Sequence, residues 1–233
     1  MANKAETKPR RVQERPLLSL GLNFILPAII LTRFSGAGQL GPVNALLVAL
    51  AFPFAYGLYD FYRRRSLNAF SGLGFIGILL TGGIGLLRLD PAWIAVKEAG
   101  IPLLIGLGVI ASIWAKSSFV KTMLMGAMDE EKVNEALKRQ GNEAAFEKRV
   151  VQASYVFAGS FFLSAVLNYV LARLIVVSQP GTSAFAQELG RMTALSFPVI
   201  TIPVLLVVAF DVYFLVSGIT KMTGLDWKEI LRS

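Results

Sequence analysis

The sequence predicts an all-α, polytopic membrane protein of six transmembrane helices, with both termini cytoplasmic and a short cytoplasmic helical connector. Composition is the first observation behind this. Of 233 residues, 55% are hydrophobic and only 16% charged, whereas a soluble domain carries about a quarter of its residues as charges. The second is clustering: the apolar residues form long runs, without the alternation of half-buried strands, and a lipid-exposed open sheet would leave its backbone unsatisfied. The third is charge placement. All but five of the 23 Lys and Arg residues fall between alternate runs, which fixes orientation by the positive-inside rule.

A basic tail, 1–16, carries Lys4, Lys8, Arg10, Arg11 and Arg15. A four-span unit, 17–114, follows, its apolar runs being Leu17–Thr32, Pro42–Phe61, Leu67–Leu87 and Pro91–Trp114. Each is read as long enough to cross about 30 Å of hydrocarbon as a helix. The first run has a basic leader and "SGAG" beyond it, features of a cleavable signal peptide. Keeping it as a span gives a consistent charge alternation through all six helices, so it is read as retained. Arg63, Arg64 and Arg65 follow the second span.

The segment 115–151 is a charged connector, partly helical. In "MDEEKVNEALKRQ" Asp129 is placed to cap a helix, Val133, Ala136 and Leu137 share a face, and Glu135 precedes Arg139 by four. Gly141 and Asn142 break that helix, and "EAAFEKRVVQ" starts another leading into the fifth span. A solvated connector is the plainer reading, and a docking hairpin for a partner is the sharper one. A two-span hairpin, 152–219, consists of Gln152–Val177 and Ala194–Ile219, with Ser178–Thr193 as an external loop. The tail 220–233 holds Lys221, Lys228 and Arg232. The five remaining basic residues, Arg33, Arg88, Lys97, Arg173 and Arg191, lie toward the opposite face.

The chain has no Cys and no His, which excludes disulfides, thiol nucleophiles, imidazole catalysis and His-based metal sites. The net charge of +8 is distributed as topology requires, so nucleic acid is not an expected partner. The Gly-rich third span lacks the Lys-Ser/Thr ending of a phosphate loop. No catalytic, cofactor-binding or metal residues are assigned.

Charges inside a span are costly, which makes Asp211 in "VVAFDVYFLVSG" the leading site candidate. It lies on the order of 12 Å from the cytoplasmic end of its span, and Asn23 on the order of 9 Å into the first span from the same side. The two could meet if their helices are neighbours, with Tyr213 as a nearby polar handle. A structural hydrogen bond between packed helices is the plainer role. Toward the outer side, Lys97 stands two turns beyond Asp90 and can share its face, although snorkelling to the headgroups is the common behaviour of such a Lys. Gly77, Thr81 and Gly85, at four-residue spacing, form a helix-packing face on the third span. Pro27, Pro53, Pro102, Pro198 and Pro203 kink or weaken their helices.

"LNFILPAIIL" from Leu22 and "LNYVLARLIV" from Leu167 match at four of ten positions, and Asn23 then Asp60 parallels Asn168 then Asp211. The arrangement would be a parallel duplication, but Leu/Ile/Val-rich sequences produce such matches easily.

"LNFILPAIILTRF", "YGLYDFYRRRSLNAFSGLGFIGILLTGGIGLL" and "DPAWIAVKEAGIPLLIGLGVIAS", in that order, resemble the intracellular septation protein A family of bacterial inner-membrane proteins. Lys97 falls where that family has its Lys, "KSSFVKTMLM" at its basic exit, and "VFAGSFFLSAVLNYVLARLI" resembles its later span. Two departures are Ser117 and Ser118 in place of a usual proline, and a larger connector and N-terminal tail. The resemblance covers residues 17–126 and, more loosely, 154–220. It implies a non-enzymatic, multi-pass inner-membrane protein of cell-envelope maintenance or septation. Its expected partners are the lipid bilayer, division or envelope membrane proteins, and a second copy of the chain. The alternative is a small transporter or channel for an ion, lipid or small solute, with Asp211 in the pathway.

Overall fold

The computed structural model describes Gly21 and residues 25–64, 69–115 and 118–230. Among these residues the chain forms helices and no strand. They are α1 Leu26–Arg33, α2 Gly41–Arg64, α3 Ala69–Leu86, α4 Ala92–Trp114, α5 Phe119–Ala127, α6 Glu130–Gln140, α7 Glu143–Ile175, α8 Ser183–Ser196, α9 Ile202–Thr223 and the single turn α10 Trp227–Ile230. Four stretches are long and apolar enough to cross a membrane: Gly41–Tyr59, Ala92–Trp114, Glu143–Ile175 and Ser183–Thr223. Ile76–Leu86 is a shorter apolar stretch. These are the features of a membrane protein.

Two of those helices are far longer than a bilayer requires. α7 has 33 residues and Ser183–Thr223 has 41, about 50 and 60 Å at 1.5 Å per residue. They run antiparallel as one long hairpin. At one end the Asn142 side-chain amide donates to the Met222 carbonyl at 2.9 Å. At the other, Glu188 accepts from the backbone N–H groups of Val177 and Ser178 at 3.0 and 2.8 Å, and from the Ser178 hydroxyl at 2.6 Å. One carboxylate thereby satisfies the donors that α7 leaves beyond its last turn.

The expected external loop Ser178–Thr193 requires correction, because most of it is α8. Thr182 caps this helix by accepting from the Phe185 N–H at 3.2 Å. Phe185, Ala186, Leu189, Gly190 and Met192 form its buried stripe. Polar residues on the other face, Gln187, Glu188 and Arg191, dilute the hydropathy that marks a span. α8 packs on α1 and α2. Ser35 and Ser183 tie the two chain segments together, the Ser183 hydroxyl donating to the Ser35 carbonyl at 2.7 Å. Gly190 makes the close approach possible, since a β-carbon there would stand 3.0 Å from the Ala28 carbonyl and 2.7 Å from Thr32.

A widened π turn, Phe197–Thr201, joins α8 to α9, with the Ile202 N–H bonded to the Phe197 carbonyl. Pro198 is its second residue, and Pro203 follows it as the second residue of α9. Each proline removes one N–H from the ladder, and the wider turn absorbs the mismatch without ending the helix.

The connector is a folded cap. Asp129 caps α6 by accepting from the Lys132 N–H at 3.2 Å, and Glu135 pairs with Arg139 at 2.9 Å. Gly141 ends α6 at φ +67°, a left-handed conformation that glycine takes without steric cost. Met128, Val133 and Leu137 then bury against Phe146 and Val150 of α7, Ile219 of α9 and Ile230 of α10. The expected boundary at residue 151 falls within the first third of α7, which is one uninterrupted helix from the cap into the bundle. A second core, in the other half, joins Ile30, Leu46, Ile84, Ile94, Leu171 and Phe185 from six helices.

Candidate intramembrane polar site

Asp211, Leu215 and Ile219 recur at four-residue spacing and so lie along one face of α9. That face is turned inward. Ile219 belongs to the cap core, and Leu215 packs with Val120 of α5 and Ala153 of α7. Asp211 comes one turn further along and is 3% exposed. Its Oδ1 has no hydrogen-bond partner among the described residues. Leaving a buried carboxylate oxygen unpaired costs more than leaving a neutral acceptor unpaired.

The helix register identifies what lies level with it. Asn142 meets Met222, Arg149 meets Phe214, and Ala153 packs with Leu215. Continuing along both helices puts Asp211 at the axial level of about residues 152–157 of α7, a stretch that includes Ser154. Ser154 is 1% exposed. Its hydroxyl lies 2.8 Å from the Val150 carbonyl and 2.9 Å from the Ser118 hydroxyl, with which it shares a hydrogen bond. Ser118 also caps α5, accepting from the Lys121 N–H at 3.3 Å.

Below this level Arg149 locks α7 to α9. Its Nη2 and Nε donate to the Phe214 carbonyl at 2.8 and 3.2 Å, and its guanidinium carbon lies 3.7 Å from the centroid of the Phe214 ring. Gly218 is what admits it: a β-carbon there would collide with the Arg149 guanidinium. Lys121 is paired with Glu147. Neither cation is held on Asp211.

The other sequence candidates are distributed differently. Asn23 lies outside the described residues. Tyr213 is 71% exposed and points away from Asp211, as two residues, or about 200° of helix, dictate. Asn168 donates to the Ser164 carbonyl of its own helix at 2.8 Å and lies roughly 20 Å along the bundle from the level of Asp211. Asp90 accepts from the Ala92 N–H at 2.7 Å at the start of α4. Lys97 turns inward, its side chain 9% exposed, to Glu98 at 2.6 Å and the Thr81 hydroxyl at 2.9 Å. Snorkelling is therefore not what Lys97 does: an acidic neighbour and a facing hydroxyl satisfy it within the bundle.

Gly77, Thr81 and Gly85 do not share one partner. Gly77 abuts Ile101 of α4, Thr81 meets Lys97 of α4, and Gly85 admits Leu46 of α2 and Phe185 of α8. A four-residue step overshoots the 3.6-residue turn, so the row drifts from one neighbour to the next. Among the described residues, no group of three acidic or metal-ligating side chains could hold a metal ion.

Ser154, Ser118, Arg149, Gly218 and Glu188 all escape a reading based on hydropathy, because none interrupts a run in the way Asp211 does. Ser154 could be found by spacing alone: Phe146, Val150 and Ser154 continue one buried row on α7. No protein-family model, curated protein or solved structure matches the chain.

Proposed function

We propose that this chain is a non-enzymatic, six-span protein of the bacterial inner membrane with both termini cytoplasmic. It serves cell-envelope maintenance or septation by holding membrane-protein partners. The observation that carries this reading is the cap. α7 and α9 continue without interruption from the apolar bundle into a packed cap core, so a partner docked on the cap would be rigidly coupled to the spans. The septation component rests on the resemblance of the quoted segments. Photo-crosslinking from exposed cap positions such as Lys132 and Arg139 in living bacteria tests the proposal. Adducts with division or envelope membrane proteins are expected, and a cap that crosslinks to nothing would refute it.

One observation favours a second reading, a small cation-coupled transporter. It is the buried Asp211 with an unpartnered oxygen, a rare and costly feature within an apolar helix. Flux through proteoliposomes tests this reading: transport lost on Asp211→Asn supports it, and no transport by the wild type removes it.

A further inference from the structure

We propose that the end of the bundle opposite the cap is a docking surface for anionic phospholipid headgroups, gripped by Arg33, Arg88, Arg173 and Arg191. Three contacts gather these residues at one end. Ser183, the first residue of α8, is bonded to Ser35, two residues beyond Arg33. The Arg88 side chain lies across Gly181, where a β-carbon would stand 3.2 Å from its Nε. Glu188 holds Val177 and Ser178 just past Arg173, and Arg191 follows Glu188 by three residues on α8. All four arginines are exposed, and among the described residues none has a hydrogen bond or an ion pair.

The carboxylates at this end are already engaged. Asp90 accepts from the Ala92 N–H, Glu98 pairs with Lys97, and Glu188 accepts from Val177 and Ser178. In the cap, by contrast, Lys121 and Arg139 are each paired with a Glu. Counter-charge for the four arginines must therefore come from outside the chain. A guanidinium fork matches phosphate oxygens in a way that a Lys ammonium does not. Exposed apolar neighbours point to a lipid phosphate over a free anion: Phe34, Leu87, Leu89 and Leu174 each adjoin one of the arginines in sequence. With the exposed Trp93 at the start of α4, they suit the boundary between headgroups and acyl chains. Arg88 also holds φ +53° where α3 ends, a conformation that glycine would take without strain. The surface requires only that the bundle crosses a bilayer, and it depends on neither the partners of the cap nor the role of Asp211.

The test is thermal unfolding of the purified full chain in neutral detergent, with phosphatidylglycerol or phosphatidylcholine added at equal mole fraction. A lipid bound only by the folded state raises Tm, and a Tm several degrees higher with phosphatidylglycerol is expected. Arg33→Gln, Arg88→Gln, Arg173→Gln and Arg191→Gln together should remove at least half of that difference. Lys132→Gln, Lys138→Gln, Arg139→Gln and Lys148→Gln together should leave it in place, and inorganic phosphate without lipid should not reproduce it. Arg88→Gly keeps the test decisive if the fourfold variant does not fold. It relieves the backbone strain, so it should be at least as stable as the wild type with phosphatidylcholine and yet respond less to phosphatidylglycerol. Equal Tm of the wild type with the two lipids, an undiminished phosphatidylglycerol response in the arginine variants, an equal loss in the Lys132 set, or the same rise with inorganic phosphate would overturn the surface.

Discussion

Substituting Gly218 by Ala tests the junction of spans and cap, because the structure makes the sign of its effect depend on a second residue. A β-carbon at 218 would meet the Arg149 side chain, with Cζ at 2.7 Å and Cδ at 2.9 Å. The guanidinium must then leave the Phe214 carbonyl and ring. Hydrogen bonds to a charged group contribute about 1.5–3 kcal/mol, and the ring contact roughly 0.5–1 kcal/mol. Against this, Ala in a helix interior is favoured over Gly by about 1 kcal/mol. The net loss is about 1–3 kcal/mol, or a fall in Tm of roughly 2–12 °C for a chain of this size. In an Arg149→Ala background nothing remains to collide, so Gly218→Ala should become neutral or stabilising by up to about 1 kcal/mol. A double-mutant cycle of thermal unfolding in detergent should thus show coupling of about 2–4 kcal/mol, the contribution of the lost Arg149 contacts. Coupling below about 0.5 kcal/mol, the additivity expected of independent sites, would refute the lock.

Two further substitutions address the cores. Leu137→Ala removes a side chain buried in the cap and should destabilise it by about 2–5 kcal/mol; limited proteolysis is expected to cut between residues 128 and 142 faster in the variant than in the wild type. Gly190→Val would drive a branched side chain against the Ala28 carbonyl and Leu31, and backbone cannot yield as a side-chain tip does. It should part α8 from α1 and lower the yield of folded protein in detergent gel filtration, whereas substitution of the neighbouring exposed Arg191 by Gln should leave that yield unchanged.

Much of the helical layout was legible because long apolar runs and local signals are short-range. The cap at Asp129, the Glu135–Arg139 pair and the stop at Gly141 each follow from a few adjacent residues. α8 was not legible as a helix because its polar face lowers the mean hydropathy of the segment, although its buried stripe has helical spacing. The cap was read as a solvated connector because its burial comes from Ile219 and Ile230, about 80 to 100 residues away in sequence from Val133 and Leu137. Asp211 stood out as a charge in an apolar run. Its grouping with Tyr213 disregarded the helical turn that separates them, and its level with Ser154 depends on the register of two long helices, which periodicity within either one does not encode.

The membrane arrangement itself is open to a direct measurement, because the chain contains no Cys and a single introduced thiol is unambiguous. Arg139→Cys lies on the cap and Gln179→Cys in the loop that closes the opposite end of the long hairpin. In intact bacterial cells made permeable only at the outer membrane, a membrane-impermeant maleimide should label Gln179→Cys, and should reach Arg139→Cys only after lysis. Labelling of Arg139→Cys before lysis, or of both positions alike, would contradict a cytoplasmic cap joined through the bilayer to an external loop.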